Sequence, residues 1–228
     1  GQPVFVQSDD RKNDSAVSLR ARAEATLGKE MFSGKLPREE VAAKACAAWF
    51  DVRAFGQLFA FDGKKKKEGE GDGQGVSIPI RGPGTAQSAV SVEPVGIESG
   101  QITKSVSGEG DGSKRGSDTM GMKHRVDRGI YVFFGGMNPQ LAERTGFSDE
   151  DARAIKSVLP RIFENDASSA RPEGSMLVRK VIWWEHDSKS GQYSSARVHR
   201  SLRVDRDGGF TIDEAATPGL KAEILEGF

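Results

Sequence analysis

Apolar residues change their spacing several times along the 228-residue chain, and each change marks an element. PVFVQ at 3–7 alternates like a short strand and is followed by a polar turn over 8–14. Ala, Arg, Glu and Leu dominate from Ser15 to Phe32 and predict a helix, interrupted near Gly28 and closed by SGKLP at 33–37. Pro37 opens a second helix that runs to Phe50, with Val41, Ala45, Ala48 and Trp49 on one face. Glu39 and Glu40 occupy its first turn, where the helix dipole favours negative charge. Over 51–61 (DVRAFGQLFAF) the period shortens, and Val52, Ala54, Leu58, Ala60 and three phenylalanines predict a buried strand bent at Gly56. VSIPI at 76–80 predicts another strand and RGPG at 81–84 a turn.

From Thr85 to Arg128, Val90, Val92, Val95, Ile97, Ile102 and Val106 alternate with polar residues, as in a two-stranded ribbon with water on its faces. The segment 85–128 therefore reads as an insertion projecting from a body made of 1–84 and 129–228, with a mobile tip at 107–118. GIYVFFGGM at 129–137 is almost continuously apolar and predicts a strand of the body. Ser148 with Asp151 three residues on is a capping-box pattern. It opens a helix whose buried stripe is Ile155, Val158, Leu159, Ile162 and Phe163, kinked at Pro160. Strands follow at 176–187 (MLVRKVIWWEHD) and at GFTI, 209–212, after RVHRSLRV at 197–204. Helix, strand, ribbon, strand, helix, strand is the back half of a βαββαβ unit, giving an α+β, ferredoxin-like fold whose first strand is expected before residue 1. Other strand orders fit the same pattern.

Composition narrows the classes. Lys plus Arg and Asp plus Glu number 33 each, so the formal net charge is zero. The 28 glycines, about 12% against an average near 7%, place much of the chain in loops, the lysine- and glycine-rich 62–75 among them, read as a mobile loop. No apolar run approaches the ~20 residues that span a bilayer, so no membrane partner is expected. Cys46 is the single cysteine; it can form neither an intrachain disulfide nor a cysteine cluster for zinc, which points to a reducing, cytoplasmic location. Gly1 is not an initiator methionine, and the natural start is expected upstream.

Candidate catalytic chemistry is sparse. His124, His186 and His199 are the only imidazoles, and none stands in a metal-ligating spacing. His186 beside Asp187 could form an acid–base pair at a strand end. Asp149, Glu150 and Asp151 are explained by a helix N-terminus. No phosphate-cradling glycine motif or nucleophile elbow occurs, and no cofactor is expected. For nucleic acid, distribution of charge matters more than its sum. KRGSDTMGMKHRVDR at 114–128 holds Lys114, Arg115, Lys123, Arg125 and Arg128 against Asp118 and Asp127. Arg81 lies in RGPG, and Arg53 and Phe55 flank Gly56. The same ribbon, with Met120 and Met122, would also suit a protein-binding arm.

Several segments carry a family resemblance. WFDVRAFGQLF at 49–59 resembles the D-x-R-x-F-G signature of the Cas-seven backbone subunits of CRISPR surveillance complexes. RGPGTAQSAVSVEPV at 81–95, DTMGMKHRVDRGIYV at 118–132, LAERTGFSDEDARAI at 141–155 and FENDASSARPEG at 163–174 resemble the type I-C branch, Csd-two, in the same order. The resemblance spans about 140 residues, 49 to 187. The opening strand and glycine- and asparagine-rich loop of that family, with the basic stretch after it, are not in this sequence.

The resemblance implies an RNA-recognition-like palm with an inserted β-ribbon thumb, and a non-catalytic subunit that stacks head to tail along a CRISPR guide RNA. Its implied partners are the guide, target DNA paired through the guide, copies of itself and the other Cascade subunits. Guides differ in sequence, so the grip must be on phosphate and sugar. Arg53, Arg81, Lys104, Lys123 and Arg125 are the expected phosphate contacts, with His124 beside them, and Gly56, Gly82 and Gly121 the places where main-chain amides approach. Gln87 and Ser88 could hydrogen-bond phosphate or ribose, Met120 or Val90 could wedge between bases, and Arg171 faces RNA or a neighbouring copy. Related type III subunits cleave target RNA, which leaves a metal-dependent ribonuclease as the alternative.

Overall fold

The computed structural model describes residues 1–8, 11–61, 76–103 and 120–228. The expectations for 62–75, for 107–118, for Val106 and for Lys104 lie outside them.

The principal core is N-terminal. Helix α1 (Leu19–Leu27) starts on Ser18, whose side chain accepts from the Ala21 amide, and ends at Gly28. A 3-10 turn over Lys29–Phe32 then buries Met31 and Phe32. Helix α2 (Arg38–Ala48) buries Val41, Ala45 and Cys46. These side chains close around Phe5, Trp49, Phe59 and Ile78. The rings of Phe5 and Trp49 lie 4.8 Å apart and those of Phe5 and Phe59 5.1 Å, within the range of favourable tilted aromatic pairs.

Two expectations are corrected in this region. Residues 3–7 form no strand and bend at Phe5, where a side chain takes two of the donors: the Asp51 carboxylate accepts from the amides of Phe5 (2.7 Å) and Val6 (2.9 Å). The segment 51–61 is not one bent strand. It is a short helix, α3 (Phe50–Phe55), followed by strand β1 (Gly56–Phe61). Val52 and Ala54 are buried and Phe55 is exposed, so burial alternates as it would in a strand although the backbone is helical. Gly56, at φ +87°, makes the reversal between the two, a conformation that side-chain-bearing residues rarely adopt. Strand β2 (Val76–Arg81) pairs antiparallel with β1 and turns Ile78 onto the core.

The ribbon is longer than the insertion inferred from alternation. Its root is β3 (Gly84–Ala86) against Gly135–Met137, its middle β4 (Val90–Ser91) against Tyr131–Val132, and its outer part β5 (Ile97–Thr103) against β6 (Met120–Val126). Bonds from Gln87 N to Phe134 O (2.7 Å) and from Val92 N to Ile130 O (2.8 Å) bridge the gaps between ladders. The stretch 129–137 is therefore the returning arm of the ribbon, in two short strands, β7 (Tyr131–Val132) and β8 (Gly135–Met137), and not one body strand. Tyr131 and Phe133 are exposed while Val132 and Phe134 are half-buried, the pattern of an arm covered on one side only.

Beyond the ribbon, Asn138 caps α4 (Pro139–Thr145), which ends at Gly146 in the left-handed region. Helix α5 (Asp149–Val158) has the reciprocal Ser148–Asp151 capping box. At Pro160 the helix does not kink but gives way to a 3-10 turn over Leu159–Arg161, since proline cannot donate the next helical bond. Val158 and Ile162 of the expected buried stripe are half exposed. Strand β9 is only Lys180–Trp184, and its antiparallel partner is a C-terminal strand that the pattern did not reveal. Helix α6 (Ser195–Ser201), β10 (Leu202–Val204) and β11 (Phe210–Ile212) precede that strand, β12 (Ala222–Glu226). The fold is α+β, and among the described residues the strands pair two by two, all antiparallel.

Candidate nucleic-acid interface

The segment 51–56 faces mostly inward. From α3, Arg53 reaches Asp151 in the first turn of α5 with Nε to Oδ2 at 2.9 Å and Nη2 to Oδ1 at 2.8 Å. Nη2 also donates to the side-chain oxygen of Gln2, and Nη1 to the Cys46 carbonyl at 3.5 Å. The Arg53 side chain is 14% exposed and that of Asp151 5%. Asp151 accepts from Ser148 N and Gln2 Nε2 as well. The Arg53 guanidinium holds the Asp151 carboxyl well below the usual carboxylate range, against the opposing effect of burial, and the pairing raises Arg53 in turn. Four of the five guanidinium N–H donors thus bond within the fold, and Arg53 clamps α3 to α5.

Gly56 and Gly82 lie against the chain's own backbone. A Cβ on Gly56 would collide with the Ile80 carbonyl and lie 2.7 Å from Gly82 N. One on Gly82 would lie 2.5 Å from Ala54 O. Here the glycines admit the chain's own backbone, and Gly82 is buried, so both positions are closely packed. Gly121 differs: it is exposed, and a Cβ there would meet only the Ile102 side chain at 3.5 Å.

A second group lies on the surface. Phe55 is 54% exposed, Arg81 is exposed at the end of β2 opposite Gly56, and Gln87, Ser88 and Val90 are exposed along the outgoing arm of the ribbon. Arg81 makes no ion pair among the described residues.

The outer ribbon is exposed on both faces. Its register pairs Glu98 with Arg125, Ser99 with His124 and Gly100 with Lys123. Because side chains alternate, Ile97, Met120, Met122 and Val126 share one face, and Lys123 and Arg125 share the other. Arg125 binds Glu98 at 2.7 and 3.0 Å, which raises its pKa. His124 Nδ1 lies 2.7 Å from Ser99 Oγ, and Gln101 Nε2 donates to Met120 Sδ at 3.0 Å. Lys123 Nζ donates to the Ser169 carbonyl at 2.6 Å, in the loop where Arg171 binds Asp166 at 2.8 Å. The structure thus brings Lys123 near the Arg171 loop, and groups Phe55 with Arg81 at the root of the ribbon. Ile97 joins Met120, Met122 and Val126 on one face through the strand register.

The histidines are occupied. His186 Nδ1 accepts from Gln192 N at 3.0 Å and Asp187 from Gln192 Nε2 at 2.8 Å, so both turn to Gln192. His199 stacks on Phe134 with ring centroids 4.3 Å apart, and burial pushes its pKa down. Among the described residues no three His, Cys, Asp or Glu side chains are grouped to hold a metal ion, and no helix is long and apolar enough to cross a membrane.

A family model described as CRISPR-associated protein Cas7 matches residues 1–219. No protein of curated function matches the chain.

Proposed function

The chain belongs to the CRISPR-associated Cas7 family, and on that premise we propose that it is a non-catalytic backbone subunit of a type I-C surveillance complex. In this reading it binds the CRISPR guide RNA along the RNA backbone, polymerises head to tail on it, and presents the bases to target DNA beside the other Cascade subunits. The observation that carries the reading is the outer ribbon. It presents Lys123 and Arg125 on one face and Ile97, Met120, Met122 and Val126 on the other, all in solvent. Cations release counterions on meeting phosphate, and apolar side chains can fill space against bases without selecting among them. Head-to-tail contacts are heterologous and need not close, so the guide would set the length of the filament. Zero net charge suits such a subunit, since a strongly cationic chain would repel its own copies.

The test is to purify the protein, record its ultraviolet absorbance ratio and compare its size before and after ribonuclease. Large particles holding RNA of uniform length, which collapse on digestion, are expected. No binding when a repeat-flanked guide and the partner subunits are supplied would refute the reading. Magnesium-dependent cleavage of guide-complementary RNA, abolished by a chelator, would replace it with the ribonuclease reading.

A further inference from the structure

Three of the four signature residues at 51–56 turn into the fold. Asp51 holds the amides of Phe5 and Val6, Arg53 holds Asp151, and Gly56 is closed over by the backbone of β2. Phe55 alone turns outward. Its neighbours Val52 and Ala54 are 1% and 0% exposed, and an aromatic core lies one strand away, yet its ring stays in water. The ring is nevertheless seated. A Cβ on Gly84 would lie 3.0 Å from two of its ring carbons, and one on Gly82 would lie 2.5 Å from its carbonyl carbon. The buried Gly82–Gly84 main chain thus lies against Phe55 at its carbonyl carbon and at ring carbons Cδ1 and Cε1, while the residue stays 54% exposed. Beside it, Arg81 is backed directly by Gly56, where an added Cβ would come within 3.1 Å of the Arg81 Cα. Among the cations expected to meet phosphate, Arg53, Lys123 and Arg125 have partners within the chain; Arg81 is exposed and has no ion pair among the described residues.

We propose that Phe55 is a stacking platform for one nucleobase of a single-stranded RNA and that Arg81 binds a phosphate of the same strand. An exposed aromatic ring beside a guanidinium that has no ion pair among the described residues matches the two halves of a nucleotide, a π-surface and an anion. Every base has a π-face, so the platform does not select among bases, as a subunit that serves many guides requires. An apolar protein side chain could also cover the ring, but it would offer no anion to Arg81, which has no ion pair among the described residues. The proposal rests on the RNA-binding reading above and specifies one site within it.

The test measures binding of the purified chain to a 15-nucleotide oligouridine RNA and to the same backbone with abasic ribose. Phe55→Ala is expected to weaken binding to oligouridine by about 5- to 150-fold and to leave abasic binding unchanged. Phe55→Trp is expected to retain stacking, and Phe55→Leu, which keeps apolar bulk without a plane, to behave like alanine; this pair decides the matter if Phe55→Ala fails to fold. Arg81→Ala is expected to weaken both RNAs alike and to reduce the salt slope by about one. Equal loss on both RNAs for Phe55→Leu, or no loss on either, overturns the platform while RNA binding stands. A change in self-association without RNA, with RNA affinity unaltered, also overturns it, in favour of a protein contact. Wild-type protein that binds neither RNA, with or without partner subunits, overturns both readings.

Discussion

Arg53 and Asp151 are 98 residues apart in the chain and meet in a two-pronged ion pair, with both side chains largely withdrawn from water. The pair ties α3 to the first turn of α5 across the whole ribbon, and it draws Gln2 into the same network. Removing one member strands the other. Arg53→Ala should cost about 3–5 kcal/mol, because the Asp151 carboxylate is left buried without its counter-charge. Denaturant unfolding checks this, and RNA affinity per folded molecule should change far less than stability.

The same pair sets a pH dependence. Asp151 is depressed in the folded state, so its contribution is complete above the unfolded carboxylate value of about 3.9 and is lost as pH falls below it toward the folded value. The stability gap between wild type and Asp151→Asn should be constant from pH 5 to 7 and should shrink at pH 3. A gap that holds constant down to pH 3 would show that the carboxylate charge is not what stabilises.

Gly56→Ala should destabilise by about 2 kcal/mol or more, about 4–8 °C in Tm, since the new methyl meets the Ile80 carbonyl at a positive φ. Gly121→Ala should stay within about 0.5 kcal/mol of wild type, because its Cβ would make only ordinary van der Waals contact with the Ile102 side chain. Thermal melts of the two variants separate a packing glycine from a permissive one.

Glu98 holds the Arg125 guanidinium on the exposed ribbon. If the ribbon meets RNA phosphate, Glu98→Gln frees that charge, and affinity should rise with a salt slope steeper by about one. Titrations at several salt concentrations check it, and a weaker complex would place Glu98 on the RNA side as a needed acceptor.

Met122→Ser should leave Tm nearly unchanged, since the side chain is 58% exposed, but should lower the yield of RNA-bound particles if the apolar ribbon face meets bases or a neighbouring copy. Sizing of the variant with and without guide is the measurement.

Much of this molecule was legible from local pattern. Ser148 and Asp151 announced their capping box because both partners of that motif lie within one turn of helix. Pro37 announced the start of α2, and alternation from Val90 to Ile102 announced a ribbon. GIYVFFGGM is apolar enough for an interior strand, and only its antiparallel partners at 84–92 make it the returning arm. The pattern over 51–55 resembles a strand because packing buries alternate residues in so short a helix, which leaves no helical period to detect.

What the residue order determined is what neighbours in sequence decide: caps, turns, the sites of glycine and proline, and the alternation of the ribbon. What only the tertiary structure decided is where each charge and ring ends up. Arg53 looks as available to phosphate as Arg81 when read along the chain. One is consumed by a carboxylate almost a hundred residues away and the other faces water, because desolvation and ion pairing depend on distance in space, and that distance is set by the fold.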